Sequence, residues 1–259
     1  MSTQEVAICT PKRLPDNKLV VAAKTAAQYN PANLPHANRL SMLGIAPTRE
    51  RIAVLTTKYW GTKGVKLTVG FMDNAEKALR DRIISHMNAW AKTGNVQFVY
   101  TAKTADAQVR IARENDGYWS YLGTDVLHIP KNKQTMNLQA FTMSTPDSEF
   151  FRVVRHETGH TLGFPHEHMR KAVVKRIDEA KAIKYFGQTQ GWTPNEVRQQ
   201  VLTPLEETAL IATPSADETS IMCYQIPGFL TANGKPIIGG VDINKIDYDF
   251  AGKIYPKVK

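Results

Sequence analysis

Cysteine is nearly absent: Cys9 and Cys223 are the only two in 259 residues. One pair cannot supply a disulfide framework, so two free thiols are the simpler expectation, as in a reducing compartment. No run approaches the roughly 18 apolar residues of a membrane-spanning helix. The opening stretch MSTQEVAICTPKRLPDNKLVVAAKTAAQYN lacks the apolar core that a secretory signal sets behind basic residues, because its best apolar run, LVVAA at 19–23, follows polar and acidic ones. Cytoplasmic residence, or export by a non-classical route, is therefore expected. Zinc-finger, helix-turn-helix and RNP signatures are missing as well. The net charge of +9 is scattered, with Lys171, Lys175 and Arg176 interleaved with apolar residues in a helical rhythm. That pattern describes a solvated face, and no nucleic acid is expected as a partner.

What is present is the balance of a globular chain, 42% hydrophobic and 22% charged, long enough to bury a core. Residues 1–50 are rich in Pro, Asn and Ala, with a loop-like NPANLPHANRL at 30–40, and read as an N-terminal extension packed on or trailing from a main domain at 51–259. From Trp60 onward the pattern tightens. KLTVGFM at 66–72 predicts a strand with Leu67, Val69 and Phe71 on one face. A helix follows, capped by Asp73 or Asn74, with Ala75, Ala78, Leu79, Ile83, Met87 and Trp90 as its apolar stripe and Gly94 as its close. VQFVY and AQVRIAR read as further strands, and VLHIP and TMNLQAF as short strand-like runs. Strands flanking a helix predict a sheet packed on that helix.

STPDSEFFRVVRHETGHTLG at 144–163 predicts a helix of roughly four turns. Thr145 serves as N-cap, Pro146 as first helical residue, and Asp147 and Glu149 favour the positive end of its dipole. At its end HETGHTLGFPHEH gathers four of the seven histidines. His156 and His160 project from one face a turn apart, a spacing that lets both reach one zinc ion at about 2.0–2.1 Å. Glu157 stands beside the first ligand, where it can act as general base on water that zinc has acidified. Gly163 can adopt φ > 0 and turn the chain back, which places His166 as third ligand. His168 is left over and is expected to be exposed.

HETGHTLGFPHEH resembles the signature of the astacin family of zinc metallopeptidases, in the metzincin clan, with Phe164 and Glu167 at the positions that set that family apart. TSIMCYQIPG at 219–228 resembles its Met-turn. The resemblance implies an α+β metzincin-like fold. Its upper subdomain holds a twisted mixed sheet and the active-site helix, its lower one is mostly helical or irregular, and a zinc cleft runs between them. Inserted helical material is expected near 171–211. A late helix over 240–256 carries Ile243, Ile246, Phe250 and Ile254.

By the same resemblance Met222 lies beneath one catalytic zinc ion, while Tyr224 is an additional ligand that swings to stabilise the oxyanion. Glu167 is buried and, in mature relatives, contacts a new N-terminus. With residues 1–50 attached, Glu167 instead meets a basic side chain or water. The implied activity is endopeptidase cleavage of a polypeptide bound extended along a sheet edge near 117–129. The alternative is a non-catalytic zinc-binding interaction or effector protein.

The N-terminal extension raises one more question. Cys9 could place a thiolate on the open zinc position, and Asp16 could do the same with oxygen. Ordinary packing or surface roles are the simpler expectation for both.

Overall fold

The computed structural model describes residues 9–10, 12–35, 48–204 and 215–257, so the expected loop is seen only to Pro35 and the helical insertion only to position 204. Five strands form one sheet: β1 (Val65–Phe71), β2 (Val96–Tyr100), β3 (Val109–Ala112), β4 (Tyr118–Ser120) and β5 (Met136–Leu138), in the order β2-β1-β3-β5-β4. Four strands run parallel, with Val65 opposite Val96, Val69 opposite Val109 and Ile111 opposite Met136. β4 pairs antiparallel to β5 through Trp119 and Asn137 and forms one edge. The α+β class and mixed sheet expected from the sequence are present.

Helices α1 (Asp16–Tyr29) and α2 (Arg49–Leu55) precede the sheet. The described residues of the extension are packed on the body. Asn33 is buried, donates to the carbonyls of Ala26 and Tyr59 at 2.8 Å, and accepts from the Tyr59 amide at 3.0 Å. Lys18 donates to the carbonyl of His128 at 3.0 Å.

Helix α3 (Lys77–Met87) crosses between β1 and β2 and continues as a 3-10 turn through Asn88–Lys92. Its cap position is Glu76, not Asp73 or Asn74, because Asp73 is drawn off by Arg113 at 2.7 Å. Ala75, Leu79, Ile83, Met87 and Trp90 are buried as expected, whereas Ala78 falls off the stripe and is exposed. VLHIP is no strand. Gly123–His128 is a 3-10 segment, and the carbonyls of Ile129 and Pro130 accept from the buried Arg110 guanidinium (3.1 and 3.2 Å) instead of from a neighbouring strand.

The histidine-bearing helix α4 comprises Asp147–Glu149, a π-helical stretch Phe150–Val154, and Arg155–Thr161. It starts one residue later than expected, with Pro146 as cap, because the Thr145 hydroxyl already accepts from the Thr142 amide at 3.0 Å. Such wide turns concentrate near functional sites, where they re-aim side chains. Trp60 and Trp90 clamp this helix from the core, donating to the carbonyls of Thr161 (2.8 Å) and Arg155 (2.9 Å).

Below it lies α5 (Glu179–Gln190), stopped by Gly191 in the left-handed region. The last helix, α6 (Lys245–Ile254), opens with a capping box between Asn244 and Asp247. Ile243 and Ile254 are buried and Phe250 partly so, but Ile246 is 47% exposed. The inward position beside it belongs to Asp247. Apolar side chains gather into two cores. One, under the sheet and α4, includes Trp90, Phe164 and Met222. The other, around α5, includes Phe186, Val201 and Tyr224. The histidines lie where the two meet.

Candidate active site

His156 and His160 emerge one turn apart from the last turns of α4 and are both buried. Their Nδ1 atoms face backbone carbonyls, His156 that of Ile221 at 2.6 Å and His160 that of Phe164 at 2.8 Å. A carbonyl accepts only, so each ring carries its proton on Nδ1 and presents a bare Nε2 lone pair inward. Both Nε2 atoms converge on Nε2 of His166, at 3.2 and 3.0 Å. One imidazole N–H cannot serve two acceptors. Three nitrogens bound tetrahedrally to one zinc ion lie about 3.3 Å apart, near the separations found here. The donor set fits zinc. Burial pushes His156 down to about 4 and holds His160 and His166 well below the usual imidazole value, which keeps all three in the neutral form that binds metal.

Two local features deliver this convergence. Gly163 sits at φ +93°, and a Cβ there would press on Tyr59 Cδ1 at 3.0 Å and the Lys58 carbonyl carbon at 3.1 Å. Only glycine makes this bend, which carries Phe164 and then His166 back under the helix. Gly159, between the two helical histidines, leaves room for Met222, whose sulfur occupies the place a Cβ would take. Met222 therefore lies against α4 between His156 and His160, beneath the cluster. The Glu167 amide, donating to the Met222 carbonyl at 2.8 Å, ties the two motifs together.

Glu157 is buried, and burial raises its carboxyl to about 8. Its Oε1 has no protein partner among the described residues, and Oε2 accepts only the Cys9 thiol, at 3.4 Å. The Cys9 sulfur joins the histidine nitrogens, all four ligand atoms lying within 4.8 Å of one another. The Tyr224 hydroxyl donates to the Cys9 backbone carbonyl. Both cysteines are free and buried. Cys9 packs among the apolar side chains of the second core, as expected, and also touches Glu157, Tyr224 and the histidine cluster. Asp16 stays exposed and pairs with Arg13 at 3.4 Å.

His168 is not exposed. It is fully buried, stacked on the Tyr224 ring at 3.9 Å and 16°, and bonded through Nε2 to the Gln200 carbonyl at 3.2 Å. Burial lowers it to about 3, so it is a neutral plate that fixes the phenol. Glu167 accepts from Arg170 at 3.3 Å and from the Asp217 amide at 3.1 Å, so its partner is a basic side chain. Sequence reasoning missed Asp247. Its carboxylate takes the Ser220 hydroxyl (2.6 Å) and the Ile221 amide (3.0 Å), which orients the carbonyl that holds His156. The capping box at Asn244 was the available signal.

A buried trio of histidines on a helix and its glycine bend, floored by methionine, defines a metallopeptidase-like centre. The model of the astacin family of peptidases matches residues 53–239. The chain belongs to that family. Zinc metalloproteinase nas-27 of Caenorhabditis elegans is 27% identical over 128 residues, 49% of this chain and 27% of that protein, so the matched part of this chain spans about a quarter of that relative's length. A solved structure of myroilysin, 30% identical, superposes with a TM-score of 0.72 over 78% of this chain and 97% of that one. A second myroilysin structure, also 30% identical, gives 0.59 over 77% and 86%. High choriolytic enzyme 1, a hatching enzyme zinc-protease from the medaka fish Oryzias latipes, shares the fold at 19% identity, with a TM-score of 0.52 over 76% of this chain and 94% of that one.

Proposed function

We propose that the chain is a zinc-dependent endopeptidase, with His156, His160 and His166 as ligands, Glu157 as general base and Tyr224 as oxyanion donor. We further propose that residues 1–50 form a segment that holds the 51–259 domain shut. The convergence of two bare Nε2 lone pairs on a third imidazole carries the reading. When bound, zinc supplies Lewis-acid chemistry, polarising a carbonyl and acidifying water. Glu157 accepts the proton from the attacking water and returns it to the leaving amine. Its orphaned Oε1 supports this role, because a buried carboxyl oxygen with no protein partner among the described residues is costly unless the site uses it. Tyr224 already donates to one peptide carbonyl, that of Cys9, and the same hydroxyl would donate to a scissile carbonyl as negative charge develops there.

The substrate edge is β4. Cys9, Thr10 and Lys12 lie along it now, Cys9 bridging to Tyr118 and Lys12 to Tyr121 in parallel, with the Thr10 amide donating to the Tyr118 carbonyl at 3.0 Å. An extended polypeptide would use the same main-chain groups with little demand on its sequence. Cys9, Thr10 and Lys12 therefore compete with a substrate for one edge.

Digestion of casein and of a peptide library by the Cys9→Ala chain tests this function. Cleavage at internal bonds is expected, lost on chelation and restored by one equivalent of zinc. Cleavage that survives removal of all metal would contradict the reading. A zinc-loaded, folded chain that cuts nothing would favour the non-catalytic binding protein.

A further inference from the structure

Beside the histidines opens a cavity of about 730 Å³, within the range of about 300–1,000 Å³ typical of ligand pockets. It is continuous with the site, since His156, Glu157 and Tyr224 are part of its wall. The rest of the wall is mainly apolar, with Val153, Ile221, Ile226, Ile237, Ile238 and Val241. Ile238 and Val241, on that wall, are 65% and 61% exposed, an arrangement that leaves apolar surface uncovered beside the site. Apart from Glu157, the charged side chains of the wall are Glu149 and Arg152, about two turns and one turn before His156 on α4.

Those two charges cancel. Arg152 donates through Nε to Glu149 Oε1 at 3.0 Å and through Nη2 to Oε2 at 2.6 Å, a two-pronged pair in which each carboxylate oxygen holds one N–H. The guanidinium also lies 5.9 Å from the centre of the Tyr118 ring. A carboxylate entering the pocket would lose its hydration and find no unpaired cation to replace it, because both N–H prongs of Arg152 are already held by Glu149. An apolar side chain would meet aliphatic wall and lose water on both sides.

We infer that this cavity receives a side chain next to the scissile bond and selects a large apolar one over an acidic one, with Glu149 as the residue that sets the choice by neutralising Arg152. The inference rests on the endopeptidase reading. Specificity here is a difference of two affinities, and Glu149 acts on it by denying an acidic occupant the cation it would otherwise pair with.

The test compares three zinc-loaded full-length chains, all carrying Cys9→Ala, on a proteome-derived peptide library read by mass spectrometry. With Glu149 intact, large apolar residues are expected to be enriched at one of the two positions flanking the cut, and acidic residues depleted there. Glu149→Gln frees the guanidinium and is expected to lower the apolar-to-acidic ratio at that position at least about tenfold, equivalent to about 1.4 kcal/mol. Adding Arg152→Met to Glu149→Gln is expected to restore the apolar preference, a reversal that a general disturbance of α4 would not produce. Acidic enrichment in the first chain, or a ratio that Glu149→Gln leaves unchanged while cleavage continues, would overturn the pocket assignment. Absence of cleavage in the first chain would overturn the peptidase reading beneath it.

Discussion

Replacing Cys9 with alanine is expected to raise the peptidase activity of the full-length chain at least about tenfold, a change of about 1.4 kcal/mol in the population of the open site. The reason is stereochemical. Cys9 places its sulfur among the three histidine nitrogens, its S–H on the Glu157 carboxylate and its carbonyl on the Tyr224 hydroxyl. Substrate needs all three of these places. A blocking group carried on the same chain acts at an effective concentration on the order of millimolar, which a dilute substrate cannot outcompete. Alanine keeps the backbone bridge to Tyr118 but removes the sulfur, so the block becomes a weak, displaceable strand. Initial rates on a quenched peptide, with unfolding temperature as the control, report the outcome. Equal rates for both chains at equal zinc content would mean that Cys9 is packing and nothing more.

Glu157→Ala, made in the Cys9→Ala background, is expected to bind zinc as before and to lose about 10²–10⁴-fold in kcat. Glu157 sits beside His156 but is not one of the converging nitrogens, so its removal leaves the metal-binding set whole. Folding should not suffer either. Burial already raises the carboxyl to about 8, and alanine takes away a buried polar group whose Oε1 has no protein partner among the described residues. Zinc content by elemental analysis, the unfolding temperature and steady-state rates together separate loss of chemistry from loss of structure. Undiminished kcat in a zinc-loaded variant would remove Glu157 from the proton-transfer role.

The parts of this site that can be read in the sequence are those whose geometry is local. The spacing of His156 and His160 is a property of the α-helix, and the bend at Gly163 is a property of a residue without Cβ. His168 departs from expectation because its burial comes from Tyr224 and Gln200, which the fold brings from more than thirty positions away. Cys9 and Glu157 are separated by 148 positions, and no periodicity reports such a contact. Asp247 escapes a sequence reading for a similar reason: its role lies in the Met-turn, although its own helix start is legible. The same competition moves the helix boundaries. Asp73 goes to Arg113 and Thr145 to a preceding turn, so the caps shift by one to three residues. In VLHIP the strand preference loses to Arg110, whose guanidinium takes the carbonyls that a ladder would have used.

Zinc stoichiometry combined with X-ray absorption at the zinc edge tests the central claim most directly. The full-length chain should hold one zinc with three imidazole nitrogens at about 2.0–2.1 Å and one sulfur at about 2.3 Å, the sulfur disappearing in Cys9→Ala while the imidazoles remain. A folded chain that binds no stoichiometric zinc, or holds it without imidazole neighbours, would contradict the claim.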